Sequence, residues 1–471
     1  NLQNRNVITW GAVIAGFIQH DQGHDAFCLF DRMRKENIEP NEFIFACMLK
    51  GCCSPGLLRF GFSRILHGWV IDRSLELNIV VGTTLVDMYM KCGSLDDAKK
   101  TFDSLPNHNA VTWGAVISGF VQHGYYYEAL HLFEKMCQEG IKPDIYSYSC
   151  IVKACGCEGA IGQGRYIHNQ MIVSDIQSDE AIGNALVDMY ARCGSIEEAE
   201  LELKRLRTLN LVSCSAMIAG YVQHGHGFLA LQLYDKMQEN GIKPEKSVFL
   251  YVLKACGIIG AVKKGRLIHK QIIYDEIEGD EAVGSTLVEM YSDCGKIEES
   301  HKTFRDMQTE NIVVWGCIVA GYAKQGSYKQ VKECLSEMKD KGLALNDLIL
   351  SSVLATCTQA GLLHEGYLCF KSMSEDGVSP QMEHYCCMID LLARSGYFKM
   401  ADDLLQTMDV LPDFHALMSV LTCSSMHGNI EAGKRCFEGI VRLNPNDASG
   451  YVHISKMLSN NIMQDLTLFG E

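Results

Sequence analysis

The strongest constraint on this chain is that it repeats itself. VITWGAVIAGFIQH, beginning at Val7, returns as AVTWGAVISGFVQHG at Ala110, LVSCSAMIAGYVQHG at Leu211 and IVVWGCIVAGYAKQG at Ile312. Lys-Ala-Cys recurs at Cys155 and Cys256, with Cys52 and Cys357 in equivalent places. GRYIH ending at His168 reappears as GRLIH ending at His269, and LVDMYMKCGSLDDA, LVDMYARCGSIEEA and LVEMYSDCGKIEES carry Cys92, Cys193 and Cys294. The large period is about 101 residues and divides into units of 35, about 35 and 31. Self-similarity at these lengths implies one small supersecondary unit copied along the chain, not a single irregular core.

Each unit reads as two short helices. In the 110–144 unit, Trp113, Val116, Ile117, Phe120 and Val121 follow the spacing of one helical face. Gly124 supplies the stop, and Ala129, Leu132, Phe133 and Met136 form the second apolar face. Pro143 prevents further helix; Pro40 and Pro244 stand in the same place, and Leu345 breaks the rule in the fourth copy. No strand-like alternation of any length occurs. One such pair cannot bury both its faces, so the copies must stack. The expected fold is an all-α, right-handed superhelical solenoid of stacked helix-turn-helix repeats.

Composition narrows the function classes. With 47% hydrophobic residues the chain is too apolar for disorder, and no run of eighteen apolar residues occurs. A net charge of −15 argues against blanket attraction to phosphate, although a local groove can still bind nucleic acid. The chain starts at Asn1 without a charged-then-apolar signal, so it reads as a piece of something longer whose targeting segment is missing. Of the 21 cysteines, the repeated ones recur once per long period, as do His67, His168 and His269, which holds the copies tens of ångströms apart, too far to share zinc. They are expected to be buried packing cysteines and helix-face histidines, with no metal and no cofactor. Trp10, Trp113 and Trp315 lie on the apolar stripe and read as core.

These phrases resemble the land-plant pentatricopeptide repeat (PPR) proteins of the PLS subclass, in which P, L and S repeats alternate. KPD at Pro143, KACG at Cys155, GRYIH at His168 and MYARCGS at Cys193 carry the resemblance. The triplets run 7–109, 110–210, 211–311 and 312–412; the first is two residues longer, with the extra length before His67, and residues 1–6 resemble the tail of a preceding S repeat. MEHY at Met382 resembles the family's terminal units. Residues 413–471 resemble the E-type motifs, with HGN at His427, LNP at Leu443 and GYVHISKML at Gly450; NNIMQDLTLFGE departs from the second motif.

The resemblance implies binding of single-stranded RNA in a mitochondrion or chloroplast and site recognition for C-to-U RNA editing. The chemistry would belong to a DYW-type cytidine deaminase, supplied by further C-terminal sequence or in trans through the E-type region. A deaminase needs His-x-Glu and Cys-x-x-Cys spacings. The chain has neither: His364-Glu365 is adjacent, Cys155-Gly-Cys157 is one residue too tight, and Cys386-Cys387 is a bare pair. No catalytic residue is assigned.

In the family, the fifth and last residues of a repeat read a base edge, and second residues of successive repeats sandwich the base. Carried onto this chain, the S repeats give Thr83 with Asn109 for adenine, Asn184 with Asn210 for a pyrimidine, and Ser285 with Asn311 for adenine. The sandwich residues are Val80, Ala181 and Ala282. The expected core is A-N-N-Y-N-N-A, read 5′ to 3′. The P repeats put glycine at the fifth place, in Gly11 with Asn41, Gly114 with Asp144 and Gly316 with Asn346; glycine has no side-chain donor or acceptor, so reading there should be weak. Ser215 with Glu245 is off-pattern, and the L repeats carry the poorly reading Ala46, Ser149, Leu250 and Ser351. Cys386 in the last S repeat is uninformative.

A plainer role competes. Asn109, Asn210 and Asn311 immediately precede a helix, where asparagine is a good N-cap, and the two roles can coexist. Two other functions also fit a helical-repeat chain: RNA binding in splicing, stability or translation, and a protein-interaction scaffold. A scaffold would have no reason to repeat polar pairs at the fifth and last positions.

Overall fold

In the computed structural model, residues 6–52, 60–174, 176, 179–277, 279–375, 377–408, 412–444 and 448–468 are described. Side chains are described up to residue 458 in the last of these spans, and not for residues 60–62 and 374–375. The described residues form 27 α-helices and no strand. Two compact units are present, Asn1–Pro244 and Glu245–Glu471. Their boundary falls between the helices Gly227–Glu239 and Lys246–Ile259.

Within each unit the helices pair as hairpins. Ala110–Gln122 packs on Tyr126–Gln138, and Glu180–Arg192 on Ile196–Arg205. The first helices of successive hairpins pack side by side: Ala110–Gln122, Ile145–Glu158, Glu180–Arg192 and Leu211–Gln223 in the first unit. The second unit repeats this from Lys246–Ile259 through Glu281–Asp293 and Ile312–Lys324 to Phe414–His427. The all-helical repeat fold expected from the periodicity is what is found.

Local signals set the helix ends. Gly124 adopts φ +79°, a conformation that costs glycine nothing, and the helix before it stops at Gln122. Without a proline at 345, the fourth copy still ends its second helix at Asp340. The Leu343 N–H donates to the Met338 carbonyl at 3.0 Å, the same closing bond that Ile141 makes to Met136 at 3.2 Å. This backbone wrap terminates the helix, and proline is an addition to it.

The cores are built from the repeated residues. Trp113 is 0% and Trp315 1% exposed, and Cys155, Cys256 and Cys357 are buried, as the stripe implied. Cys193 Sγ reaches the Cys155 carbonyl at 3.6 Å and Cys294 Sγ the Cys256 carbonyl at 3.4 Å, so these thiols pack one hairpin onto the next. Each repeated histidine bonds a tyrosine hydroxyl of the following hairpin: His67 to Tyr89, His168 to Tyr190 and His269 to Tyr291, at 2.7, 2.8 and 2.9 Å. Among the described residues no group of three or more His, Cys, Asp or Glu could hold a metal ion, and no helix is long and apolar enough to cross a membrane.

Towards the C-terminus the pattern continues with Phe414–His427 and Ile430–Leu443, against both of which the helix Ala448–Leu468 packs. Residues 1–5, part of the expected repeat tail, lie outside the described residues, but Asn6 caps Val7–Gln19 by accepting from the Thr9 N–H at 2.9 Å. Most of the segment before His67 that carries the two extra residues, 53–59, also lies outside them.

Candidate nucleic-acid interface

The candidate residues all fall at the start of first helices, where one hairpin hands over to the next. Asn78, Asp179 and Asp280 cap Ile79–Lys91, Glu180–Arg192 and Glu281–Asp293, the first helices of the first three units read as S repeats. Their Oδ1 atoms accept from the N–H groups of Val80, Ala181 and Ala282 at 2.9, 2.9 and 3.0 Å, which fixes those second-position residues on the exposed side of the helix.

The fifth and last residues meet differently in the three copies. In the first, the Thr83 and Thr112 hydroxyls are 2.8 Å apart, and Thr112 Oγ1 donates to Asn109 Oδ1 at 3.0 Å. Asn109 also accepts from the Thr112 N–H at 2.9 Å, so it caps Ala110–Gln122. In the second, Asn210 Nδ2 lies 3.4 Å from Asn184 Oδ1, while Asn210 Oδ1 caps Leu211–Gln223 through the Ser213 N–H at 2.9 Å. In the third, Ser285 and Asn311 share no hydrogen bond among the described residues: Ser285 Oγ donates to the Ala282 carbonyl at 3.0 Å, and Asn311 Oδ1 accepts from the Val313 N–H at 2.8 Å. In the first copy the bridge is the Thr112 hydroxyl at the third helical residue, which Val314 in the third copy cannot supply. Each of the three asparagines is therefore an N-cap.

Glycine at the fifth place of the P repeats has a packing reason. A Cβ at Gly11 would lie 3.2 Å from the Phe43 ring, and one at Gly114 3.3 Å from Ser147 Oγ and 3.4 Å from the Tyr146 ring. Gly316 has more room, with the nearest contact, Ile349, at 3.7 Å. Asn41, Asp144 and Asn346 cap the following helices through the N–H groups of Ile44, Ser147 and Ile349 at 3.1, 2.8 and 3.0 Å. Ser215 turns back to its own helix, donating to the Leu211 carbonyl at 2.6 Å, and Glu245 makes no side-chain cap bond.

Two features of this face escaped the sequence reading. Apolar side chains at the second place of the P and L repeats stand exposed: Ile8, Val111, Val212 and Val313, and the aromatic rings of Phe43 and Tyr146. Their signal was position, one residue into the helix and off the buried stripe. Cys386 also has a partner, with Sγ 3.5 Å from Asp413 Oδ1, and Asp413 caps the next helix through the Ala416 N–H at 2.8 Å. Burial and the Asp413 carboxylate push the Cys386 thiol up to about 12.

A charge pattern follows each fifth residue. Four and eight residues on from Thr83 and Asn184 come Asp87 with Lys91 and Asp188 with Arg192, paired at 2.7 and 2.8 Å; Asp390 and Arg394 follow Cys386 in the same way at 2.8 Å. These positions share a helix face. In the third S repeat Asp293 replaces the cation, and Lys324 of the next hairpin bonds it at 2.5 Å. The cations Lys91, Arg192, Lys324 and Arg394 are each paired with a carboxylate within the protein.

Comparison with known proteins follows the same repeats. The family model described as the PPR repeat family matches residues 5–54 and 108–157, and the PPR repeat model matches 83–109, 212–242, 285–312, 313–343 and 383–411. A putative pentatricopeptide repeat-containing protein of Arabidopsis thaliana is 30% identical over 462 residues, covering 97% of this chain and 67% of the relative. The chain belongs to the pentatricopeptide repeat family. Two further Arabidopsis thaliana PPR proteins, one named mitochondrial and one chloroplastic, are 31% and 32% identical over 98% and 97% of the chain and 53% of their own lengths. The chain thus spans between about half and two thirds of these relatives. Among solved structures, maize PPR10 aligns over 99% of this chain and 78% of its own with a TM-score of 0.54, and PPR10 in complex with an 18-nt psaJ RNA element over 97% and 82% with 0.57, both at 15% identity. At that identity the likeness is one of fold.

Proposed function

We propose that this PPR chain binds single-stranded organellar RNA in a sequence-specific way and supplies the address for C-to-U editing. The observation that carries the reading is the meeting of Thr83 with Asn109 through Thr112, and of Asn184 with Asn210, across hairpin junctions on the face where Val80 and Ala181 stand exposed. Polar groups 26 residues apart, held at one height beside an exposed side chain, suit the edge and the flat face of an unstacked base. PPR10 has been crystallised with an RNA element, and the mitochondrial and chloroplastic names of the relatives support an organelle without choosing one.

The editing role rests on the assignment of the repeats to the PLS subclass and of residues 413–471 to E-type motifs. In this reading the chain is the address and not the catalyst. A DYW-type deaminase, following in sequence or recruited through the E-type region, does the chemistry. The test compares binding of single-stranded and duplex RNA, then incubates the purified chain with candidate RNA and sequences the product. Single strands are expected to bind more tightly, because a sandwiched base must be splayed from any partner. Equal or tighter duplex binding would overturn the binding mode, and editing without added deaminase would overturn the division of labour.

A further inference from the structure

The second and third S repeats begin with glutamate, Glu180 and Glu281, where the first begins with Ile79. Each follows the capping aspartate, in the first turn of a helix, where the helix dipole favours a carboxylate. The dipole does not account for where these side chains reach. Glu180 Oε1 accepts from Asn210 Nδ2 at 2.6 Å, and Glu281 Oε2 accepts from Asn311 Nδ2 at 2.7 Å. The contact crosses 30 residues and a hairpin junction, and it recurs once in each compact unit.

An asparagine side chain offers one carbonyl oxygen and one amino group with two N–H donors. At Asn210 and Asn311 the oxygen is committed to the helix cap and the amino group to the carboxylate, so the amide is held at both ends. Its flip and its plane are fixed, and a base meets one orientation of it. A carboxylate bond to an N–H is also stronger than a neutral one. At Asn109 no such clamp exists. Ile79 cannot accept a hydrogen bond, and the hydroxyl of Thr112 orients that amide from its oxygen side instead.

We infer that Glu180 and Glu281 are positioning residues for base recognition: each clamps the last-position amide of its own repeat, so that wrong bases cannot be accommodated by rotating it. The inference rests on the proposal that Asn210 and Asn311 face a base. It separates the first three S repeats into two kinds, hydroxyl-set and carboxylate-set, by a residue outside the fifth, last and second places.

The experiment selects from an RNA pool randomised along the bound tract, using the whole chain and its Glu180→Ile and Glu180→Gln variants. Isoleucine reproduces the first S repeat; glutamine keeps an acceptor oxygen at the same reach. Glu180→Ile is expected to lower discrimination at the one nucleotide read by the second S repeat about fivefold, the worth of one oriented hydrogen bond, chiefly because the disfavoured bases bind better. Other positions should stay within about twofold, as distant sites do, and Glu180→Gln should keep discrimination within the same range. The clamp is refuted if Glu180→Ile leaves that position unchanged, if it weakens every position equally, or if glutamine loses as much as isoleucine. Asn210→Ser, which retains a cap, distinguishes the two possible failures. If it erases the preference while Glu180→Ile does not, the clamp alone is wrong; if it too changes nothing, base reading by Asn210 is wrong.

Discussion

Thr83→Asn converts the first S pair into the Asn/Asn pair already present at Asn184 and Asn210, and its consequences can be worked from the contacts. The Thr83 hydroxyl makes one neutral hydrogen bond, 2.8 Å from Thr112 Oγ1, from a half-buried position. Such a bond is worth about 1 kcal/mol net, and an asparagine amide can restore part of it, so the fold should lose under about 1 kcal/mol. The effect on a base is larger, because a mismatched polar group there is left without water or partner, at about 1–3 kcal/mol. In the proposed reading Thr83 is one of two groups facing that base, which places the change at the lower end, roughly 5- to 10-fold. Selection from a randomised RNA pool before and after substitution should show the adenine preference at that nucleotide replaced by a pyrimidine. The neighbouring read position, at Asn184 and Asn210, should not move. If the adenine preference survives, or every position weakens together, Asn109 and Thr112 are capping a helix and nothing more.

Asp188→Asn removes the carboxylate that pairs with Arg192 at 2.8 Å; the slope of log affinity against log salt, expected to be shallow in the parent chain, should steepen by up to about one unit, and an unchanged slope would place this pair outside the RNA path. Burial raises the Glu202 carboxyl above its ordinary 4.5, so the folded chain holds that proton more tightly than the unfolded one and the charged form costs stability at higher pH. Glu202→Thr, the residue found at Thr101 and Thr303, should raise the denaturation midpoint at pH 8, with the gain fading as pH falls towards 4.5; a gain constant across pH would refute the cause. Burial, with the neighbouring Cys193, pushes the Cys155 thiol up to about 12, so at pH 8 it should resist alkylation until the chain unfolds, while exposed Cys28 reacts, as mass spectrometry would show. Trp113→Ala should cost about 3–5 kcal/mol in denaturant unfolding, and a loss below about 1 kcal/mol would contradict its place as a core anchor.

What the sequence disclosed was whatever depends on near neighbours. Helix spacing, the stop at Gly124 and the burial of Trp113 follow from residues a few places apart, and all were legible. So was the capping by Asn109, Asn210 and Asn311, since a cap needs only the helix that follows it. The grip of Glu180 on Asn210 was not, because both residues have sufficient local explanations and the contact spans a hairpin. The separation of Ser285 from Asn311 was hidden for a related reason. Val314, a residue with no place in the pairing rule, cannot supply the hydroxyl that bridges the first copy. Glycine at 11 and 114 was read as a silent letter, whereas the rings of Phe43 and Tyr146 give it a steric cause.

The last-position asparagines start a helix with one atom, and if, as proposed, the same side chain also reads a base, that shared duty limits how such a protein can change its target. A letter at that place can be rewritten cheaply only among residues that also cap, since asparagine, aspartate and serine serve about equally and alanine forfeits about 1 kcal/mol. Drift of the target sequence is thereby channelled through a small alphabet, and any spelling outside it loosens the joint between two repeats. Glu245, which makes no side-chain cap bond, stands outside that alphabet already. Recoding such a protein for a new transcript is for this reason a problem in helix initiation as much as in base pairing.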